Sequence, residues 1–560
     1  MNAPAQGAAP TPLYAELAAG QPRLRVAVLV DRDVVPAWIG ETLAAIAASD
    51  ATSLVAVVVV DAPAPPPVAP ALRAFLWLDA RLAGGARVAT APQRLAARLP
   101  DVPLTRITGA ERDGRLDLGA SELASLRAFD ADLLLGFGLP PPAHAVASAS
   151  RKGAWFFERR ATDAESCGLG FLEPLLRGEA VTPSGVVVQA SDADALQRLC
   201  GSWNATALLS FSRNRAYQLL RIPAELLRVL RRVAADRPIE REAVAEVAPP
   251  GGFAVAAFML RLVLRGLRRH LPRLGKVESW VLGVRRGEKT LLDPERPDGA
   301  NLRVIEAPAG MFWADPFAVR HQDRDYVFVE ECPLGGRGRI AVLELGTALD
   351  VEKVTTVLDQ PWHLSYPIVF EWKGERLLIT ESSEAGTLTL YRCVEFPHRW
   401  QPVKNLIEGR AAVDGTLHFD GERWYLFAAI SESPFGYDKR IWCDLFVFCA
   451  EDPAGPWRPH ALNPILSDVR RARPAGDFFV HEGRLIRPAQ DCSTDYGRAI
   501  VFHEVIRLDP DHYEERVIGR LDPDWAPGLR GCHTYARCGT LEVVDGKILV
   551  PRRAATGARA

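Results

Sequence analysis

From Val277 onward the chain changes its hydrophobic rhythm, and this change constrains the fold more than any other feature. Short aromatic and β-branched runs alternate with turn residues at intervals of roughly ten positions, an all-β pattern. Strands are expected at Trp280–Arg285, Tyr326–Glu330, Ile340–Leu345, Ile368–Trp372, Arg376–Thr380, Leu388–Arg392, Trp424–Ala429 and Leu445–Cys449. Lys373-Gly374-Glu375 and Asp420-Gly421-Glu422 set Gly between polar residues just before a strand, which suits hairpin tips. The pattern recurs in units of about forty to fifty residues, near the length of a propeller blade, and roughly five units fit between Ile305 and Val550. Trp280–Arg285 stands before the first complete unit, so it is expected to join the final blade and close the ring, removing open sheet edges.

The first part of the chain has a different period. Leu24–Val30 and Leu54–Val60 are continuous Val/Leu runs flanking a helix-like stretch around Trp38–Ala48, as in a βαβ unit with buried parallel strands; Asp132–Phe137 suits a third strand. Ala62–Pro70 is Pro-rich and suits a surface loop. No G-x-G-x-x-G or P-loop follows the first strand, where Val30-Asp31-Arg32-Asp33 stands, so a dinucleotide cofactor is disfavoured and no other is indicated. The expected organisation is a disordered N-terminus (1–22), an α/β domain (23–200), a helical basic linker (201–276), a propeller (277–553) and a tail (554–560).

Composition removes several functional classes. A formal net charge of −2 gives no field that would gather nucleic acid. The nine cysteines are scattered without a C-x-x-C pair, which fits a reducing cytoplasm and argues for neither a disulfide framework nor a zinc site; no ligand cluster suggests any metal. The Ala- and Pro-rich start lacks the layout of a secretory signal. Gly252–Leu274 carries five Arg (261, 265, 268, 269, 273) and no acid beside Phe253, Phe258, Leu260, Val263, Leu264, Leu267 and Leu271; Tyr217–Val233 is similar, interrupted by Pro223. Both are too polar to span a bilayer. Two readings stay open: helices docked on the propeller, or basic amphipathic helices at 217–233 and 252–274 lying on the inner face of the cytoplasmic membrane.

"DADLLLGFG", "RKGAWFFE" and "FLEPLLRGEAVTPSGVVVQ", in that order, resemble the N-terminal domain of formyltransferases, and the resemblance covers about residues 24–200. It implies a Rossmann-type α/β domain. Phe156 and Glu158 stand where that family has its catalytic Asn and His, so the resemblance implies a retained scaffold, or an altered site using Glu158, Arg159 or Asp163.

"FWADPFAVR" (312–320), "HLSYPIVFEWKGE" (363–375), "ITESS" (379–383), "VDGTLHFDGERWYLF" (413–427), "ARPAG" (472–476) and "RPAQD" (487–491) look like the N-terminal domain of glucosamine inositolphosphorylceramide transferase, over about half the chain. More distantly the region resembles five-bladed arabinanase and xylosidase hydrolases, which place carboxylates at the inner ends of blades. Glycoside hydrolysis needs a base or nucleophile and a carboxylic acid. The resemblance implies Asp315 as base and Asp414 as the residue that tunes the acid. The hydrolases' fourth-blade Glu-Gly has no plain counterpart, leaving Glu381, Glu330 or Asp477 as the acid. His363, Tyr366, Arg473, Arg487, Gln490, Asp491 and His533 are candidate binding groups in the same funnel. Each also has a structural reading: Asp before Pro or Gly makes turns, and Trp313, Trp362, Trp424 and Trp457 suit blade cores. A carbohydrate or glycolipid ligand is the expected partner, in an enzyme, in a non-catalytic glycan-binding scaffold, or, as a third reading, in a formyltransferase acting on an amino sugar.

Overall fold

The computed structural model describes residues 10–17, 20–61, 70–83, 88–157, 171–190, 196–244, 252–292, 302–432 and 443–552. Contacts divide the chain into an α/β unit drawn from residues 16–268 and a propeller unit drawn from 1–15 and 269–560, apart from a short piece at 432–436 that groups with the α/β unit.

The propeller has five blades, whose middle strands, such as Arg324–Pro333 and Trp424–Ile430, are buried along nearly their whole length, as short continuous apolar runs are when both sheet faces are covered. The first blade runs Met311–His321, Arg324–Pro333, Arg339–Leu345, Val351–Leu358; the second runs Ser365–Trp372, Glu375–Ser382, Thr387–Glu395, Arg399–Glu408. The third is built on Ala412–Phe419, Trp424–Ile430 and Asp444–Ala450, and the fourth on Phe479–His481, Arg484–Asp491, Ala499–Leu508 and Tyr513–Leu521. In the fifth, Tyr535–Cys538 and Leu541–Pro551 from the C-terminal side pair with Lys276–Arg286 and Arg303–Ile305 from the start of the unit. Lys276–Arg286 pairs antiparallel with Leu541–Pro551 along its whole length, so the strand containing Trp280 closes the ring as expected. At the second blade's hairpin tip Lys373 and Gly374 have φ of 50° and 81°, the paired left-handed geometry of a tight two-residue turn.

Thr11–Tyr14, expected within a disordered N-terminus, are instead seated on the propeller. Thr11 N–H donates to the Glu408 carbonyl at 3.0 Å, Asn463 Nδ2 donates to the Leu13 carbonyl at 3.0 Å, and Leu13 is buried among the second- and third-blade cores. The apolar pair Leu13-Tyr14 covers apolar surface that the blades leave open.

The α/β unit holds a nine-stranded sheet whose parallel centre is Ala154–Phe157, Leu133–Phe137, Leu24–Val30, Thr52–Asp61 and Leu104–Arg112. The region expected as a linker belongs to this unit. Helix Ile222–Ala234 buries Ile222, Leu226, Val229, Leu230 and Val233 in the sheet's core, and Glu242–Val244 adds an edge strand. The apolar face of 217–233 is thus spent on the core and unavailable to lipid. Helix Gly252–His270 also packs in this unit, through Val255 and Phe258 against Leu72, Phe75 and Leu76 of helix Pro70–Leu82, rather than as a linker helix on the propeller.

Phe156 is core: its ring fills the space beside Gly136, where a Cβ would lie 2.4 Å from it. Glu158, Arg159 and Asp163 lie outside the described residues. Phe156→Asn should therefore lower unfolding stability by about 3–5 kcal/mol, read by denaturant titration, because a cavity and an unpaired amide replace a buried ring.

Candidate active site on the propeller axis

One local device positions three of the candidate side chains. In the first strand of the first blade Ala314 pairs with Glu330 and Phe317 with Phe328, so Asp315 and Pro316 bulge opposite one residue. The same insertion falls at Tyr366-Pro367 in the second blade and at Asp414-Gly415 in the third. The first residue of each bulge is left-handed, with φ of 49°, 55° and 54° for Asp315, Tyr366 and Asp414. A non-glycine residue there costs on the order of 1–3 kcal/mol, and bulges recur where a side chain must be re-aimed. Asp-Pro, Tyr-Pro and Asp-Gly supply the residues for it. In the fourth blade Gly476, at φ 126°, passes so close to the fifth that a Cβ would sit 1.8 Å from the Tyr535 carbonyl oxygen.

The bulges deliver a buried polar cluster. Asp414 forms an ion pair with Arg473 through Nε, and Nη2 donates to its second oxygen at 3.2 Å. Gln490 Nε2 donates to Asp414 at 3.0 Å, and the Asp414 amide donates to Glu381. Glu381 also meets the Ser365 hydroxyl at 3.0 Å. The Tyr366 hydroxyl accepts from the Gly476 amide at 2.6 Å and meets Thr416 at 3.0 Å. The Arg473 guanidinium lies 4.8 Å over the Tyr496 ring.

A second set comes from the ring closure. His533 stacks on Trp280 at 4.0 Å, with Nδ1 2.5 Å from Asp545 and Nε2 3.6 Å from Asp315. Asp545 accepts the amides of His533 at 2.8 Å, Thr534 at 3.0 Å and Asp315 at 3.2 Å. The Thr534 hydroxyl donates to Asp315 at 2.8 Å. Glu330, at the edge of this set, is 3.2 Å from His363 Nε2, and His363 is partly exposed.

Crowding of carboxyls in a dry place sets their protonation. Burial pushes Asp315 up to about 7; His533 opposes this, while Glu330, Asp414 and Asp545 add to it. Burial, then the charges of Asp414 and Asp315, hold Glu381 well above the usual carboxylate range despite Arg473. For His533 burial pulls down, but Asp545 and Asp315 outweigh it and the imidazole is raised.

Of the ten candidate residues, Asp315, Glu381, Asp414, Tyr366, Arg473, Gln490 and His533 share this network and His363 flanks it. Arg487 and Asp491 do not. Arg487 is buried against Glu515, at 2.8 and 3.0 Å, and Tyr513, at 3.1 Å. Asp491 accepts from Arg520 at 2.8 Å and from the Ser493 amide. Both consume their charge in the fourth blade's packing. Asp477, which burial pushes up to about 7, has neither Asp315 nor Asp414 among the causes of its shift. Asp545, Thr534, Tyr496 and Trp280 also touch this network, and residue spacing did not single them out as site residues.

Two triplets bring possible metal ligands together, Glu330/Cys332/His363 and Asp315/His533/Asp545. In the first, His363 Nδ1 accepts the Gly338 amide at 3.0 Å, which leaves the ring proton on Nε2, facing Glu330. That is a hydrogen-bonded pair, not a free ligand nitrogen. In the second, His533 Nδ1 and Nε2 lie 2.5 Å from Asp545 and 3.6 Å from Asp315, and all three residues are buried.

Two arginine truncations separate the axis from the packing. Arg473→Ala and Arg487→Ala should each cost about 3–5 kcal/mol of unfolding stability by leaving a buried carboxylate uncompensated; only Arg473→Ala should also abolish ligand binding measured by calorimetry. For Asp315 the folded pKa exceeds the unfolded one, so the native state binds the extra proton and this residue's contribution falls as pH rises from about 4 to about 7. Asp315→Asn should gain on the parent protein across that window in denaturant melts.

The chain was compared with known proteins. A family model described as glucosamine inositolphosphorylceramide transferase 1, N-terminal, matches residues 301–522, a span that includes Asp315, Glu381, Asp414, Arg473 and Gln490 and ends before His533 and Asp545. Glucosamine inositolphosphorylceramide transferase 1 of Arabidopsis thaliana is 35% identical over 214 residues, covering 36% of this chain and 27% of that protein. Its counterpart from Oryza sativa subsp. japonica is 34% identical over 208 residues, with the same coverages. The chain thus spans about a quarter of the length of these curated relatives. Among solved structures, a thermostable family-43 glycoside hydrolase aligns at 14% identity and TM-score 0.31 over 40% of this chain and 82% of that one. CoXyl43, a β-xylosidase/α-arabinofuranosidase from a compost microbial metagenome, aligns at 14% identity and TM-score 0.32 over 48% of this chain and 94% of that one. The propeller of this chain is thus similar in sequence, over residues 301–522, to the N-terminal region described for glucosamine inositolphosphorylceramide transferase 1.

Proposed function

We propose that the propeller axis is a glycan site with paired-carboxyl chemistry, acting on a glycan or glycolipid precursor. The observation that carries this is a pair of carboxyls raised by burial in one network but differently partnered: Asp315, pushed up to about 7, lies beside His533 and Thr534, and Glu381, pushed well above the usual carboxylate range, lies beside Ser365 and the Asp414 amide. Divergent environments for neighbouring carboxyls are how acid and base roles are assigned. Asp315 acts as base, taking the proton of a water, or of an acceptor hydroxyl if the reaction is transfer, as its oxygen attacks the anomeric carbon. Glu381 gives its proton to the departing glycosidic oxygen. Asp414, fixed by Arg473 and Gln490, holds the Glu381 carboxyl through its amide and keeps it protonated through its charge.

A second reading, a non-catalytic glycan-binding component of polysaccharide assembly, is favoured by one observation: Asp315, Glu381 and Asp414 are only 4%, 5% and 2% exposed, and the Glu381 oxygens are already engaged. Formyl transfer to an amino sugar ranks below both. We read the α/β unit as a formyltransferase-like scaffold, and its Phe156 offers no donor to an oxyanion. The same reading carries a cytoplasmic location, with peripheral contact at the inner face of the cytoplasmic membrane; the scattered cysteines without a C-x-x-C pair support it.

The test is a binding and turnover screen of the full chain against sugars, nucleotide sugars and glycolipid head groups, with Asp315→Asn alongside. Turnover by the parent with binding alone in the variant supports the enzyme; unchanged binding in both with no product supports the scaffold. If turnover is found, kcat/KM of the parent should rise with pH through about 7 as Asp315 ionises.

A further inference from the structure

Helix Gly252–His270 has two apolar faces, and only one is used. Val255 and Phe258 are buried, the Phe258 ring packing edge-on against Phe75 at 5.5 Å. Arg265 fastens the same side by donating to the Leu175 carbonyl at 3.0 Å. At about 100° per residue, Phe253, Leu260, Val263 and Leu267 fall on the opposite side. They are 91%, 61%, 59% and 49% exposed. The partner helix Pro70–Leu82 adds Trp77, 57% exposed, and Leu82, 74% exposed. Isolated exposed apolar residues are ordinary, but four along one helix face mark an interaction surface.

The charges around the stripe identify what covers it. Residues 252–268 contain Arg261, Arg265 and Arg268 and no acid. Helix Pro70–Leu82 presents Arg73 and Arg81, with Arg81 lying over the Trp77 ring at 4.2 Å. Its one acid, Asp79, is buried and accepts from Ser210 and the Ser212 amide, so it does not offset them at the surface. No described helix is long and apolar enough to cross a membrane. Apolar side chains flanked by arginines, on a helix anchored along its other face, match the chemistry of a bilayer interface bearing anionic head groups. We propose that this face of the α/β unit lies on an anionic lipid surface, with Phe253, Leu260, Val263 and Leu267 inserted among the acyl-chain ends and the exposed Arg268 among the phosphates, Arg265 being held on the anchored side. Of the two basic amphipathic stretches only 252–267 contributes to this surface, since helix Ile222–Ala234 spends its apolar face internally. The proposal is independent of the chemistry assigned to the propeller.

The experiment is co-sedimentation of the full chain with vesicles of phosphatidylcholine alone and of phosphatidylcholine with phosphatidylglycerol, beside analytical ultracentrifugation without lipid. Binding to the anionic vesicles, weakened by salt and reduced at least about tenfold in Phe253→Ser/Leu260→Ser/Leu267→Ser, supports the proposal. These side chains are exposed, so the variant should keep the parent melting temperature, which separates lost binding from lost folding. Equal binding of parent and variant, or no preference for anionic lipid, overturns it. Failure to bind lipid, together with a parent dimer that the variant converts to monomer, also overturns it and assigns the stripe to a second copy of this chain.

Discussion

The propeller axis depends on a shortage of positive charge. Four buried carboxyl groups, Asp315, Glu381, Asp414 and Asp545, share two cationic groups, Arg473 and His533. Desolvation is too costly for all four to stay ionised, so the deficit is met by protons. Arg473 takes Asp414, with Gln490 adding a donor. Asp545 takes three backbone amides and His533. What remains is a shared burden on Asp315 and Glu381, which rise together because neither has a cation of its own.

That arrangement exists only because the ring is closed. Asp315 and Asp545 are 230 residues apart and meet through the Asp315 amide, and Trp280, from the strand that seals the fifth blade, supplies the plane on which His533 lies. Closure thus both hides the sheet edges and assembles half of the charged cluster. The left-handed bulges at Asp315, Tyr366 and Asp414 supply the other half, storing backbone strain in order to turn side chains inward.

Much of this was legible in the chain because propeller strands are short, alternating and punctuated by turns. Asp315-Pro316 and Asp414-Gly415, read from the chain as turn signals, prove to be bulges within strands, as does Tyr366-Pro367. Asp545-Gly546 carried the same dipeptide but lies in the middle of strand Leu541–Pro551, where Asp-Gly signals close approach rather than a turn. Arg487 and Gln490 are three positions apart on one strand, so they face opposite sides; the period of two that identified the strand also places Arg487 away from the axis. Asp491, adjacent to Gln490, fails for the same reason. The supposed linker was misassigned because amphipathic helices look alike whether they bridge units or complete one. The pairing of 222–234 with the sheet core is a long-range fact that helical periodicity does not contain.

The most direct test is the infrared difference spectrum of the full chain against Glu381→Gln at a pH just above the usual carboxylate range, in the carbonyl-stretch region of protonated carboxylic acids. A carboxylic-acid band present in the parent and missing in the variant is expected, since Glu381 should still carry its proton when surface carboxyls have long ionised. Identical spectra in that region, with Glu381 ionised, would contradict the charge deficit on which both the axial network and its acid–base roles rest.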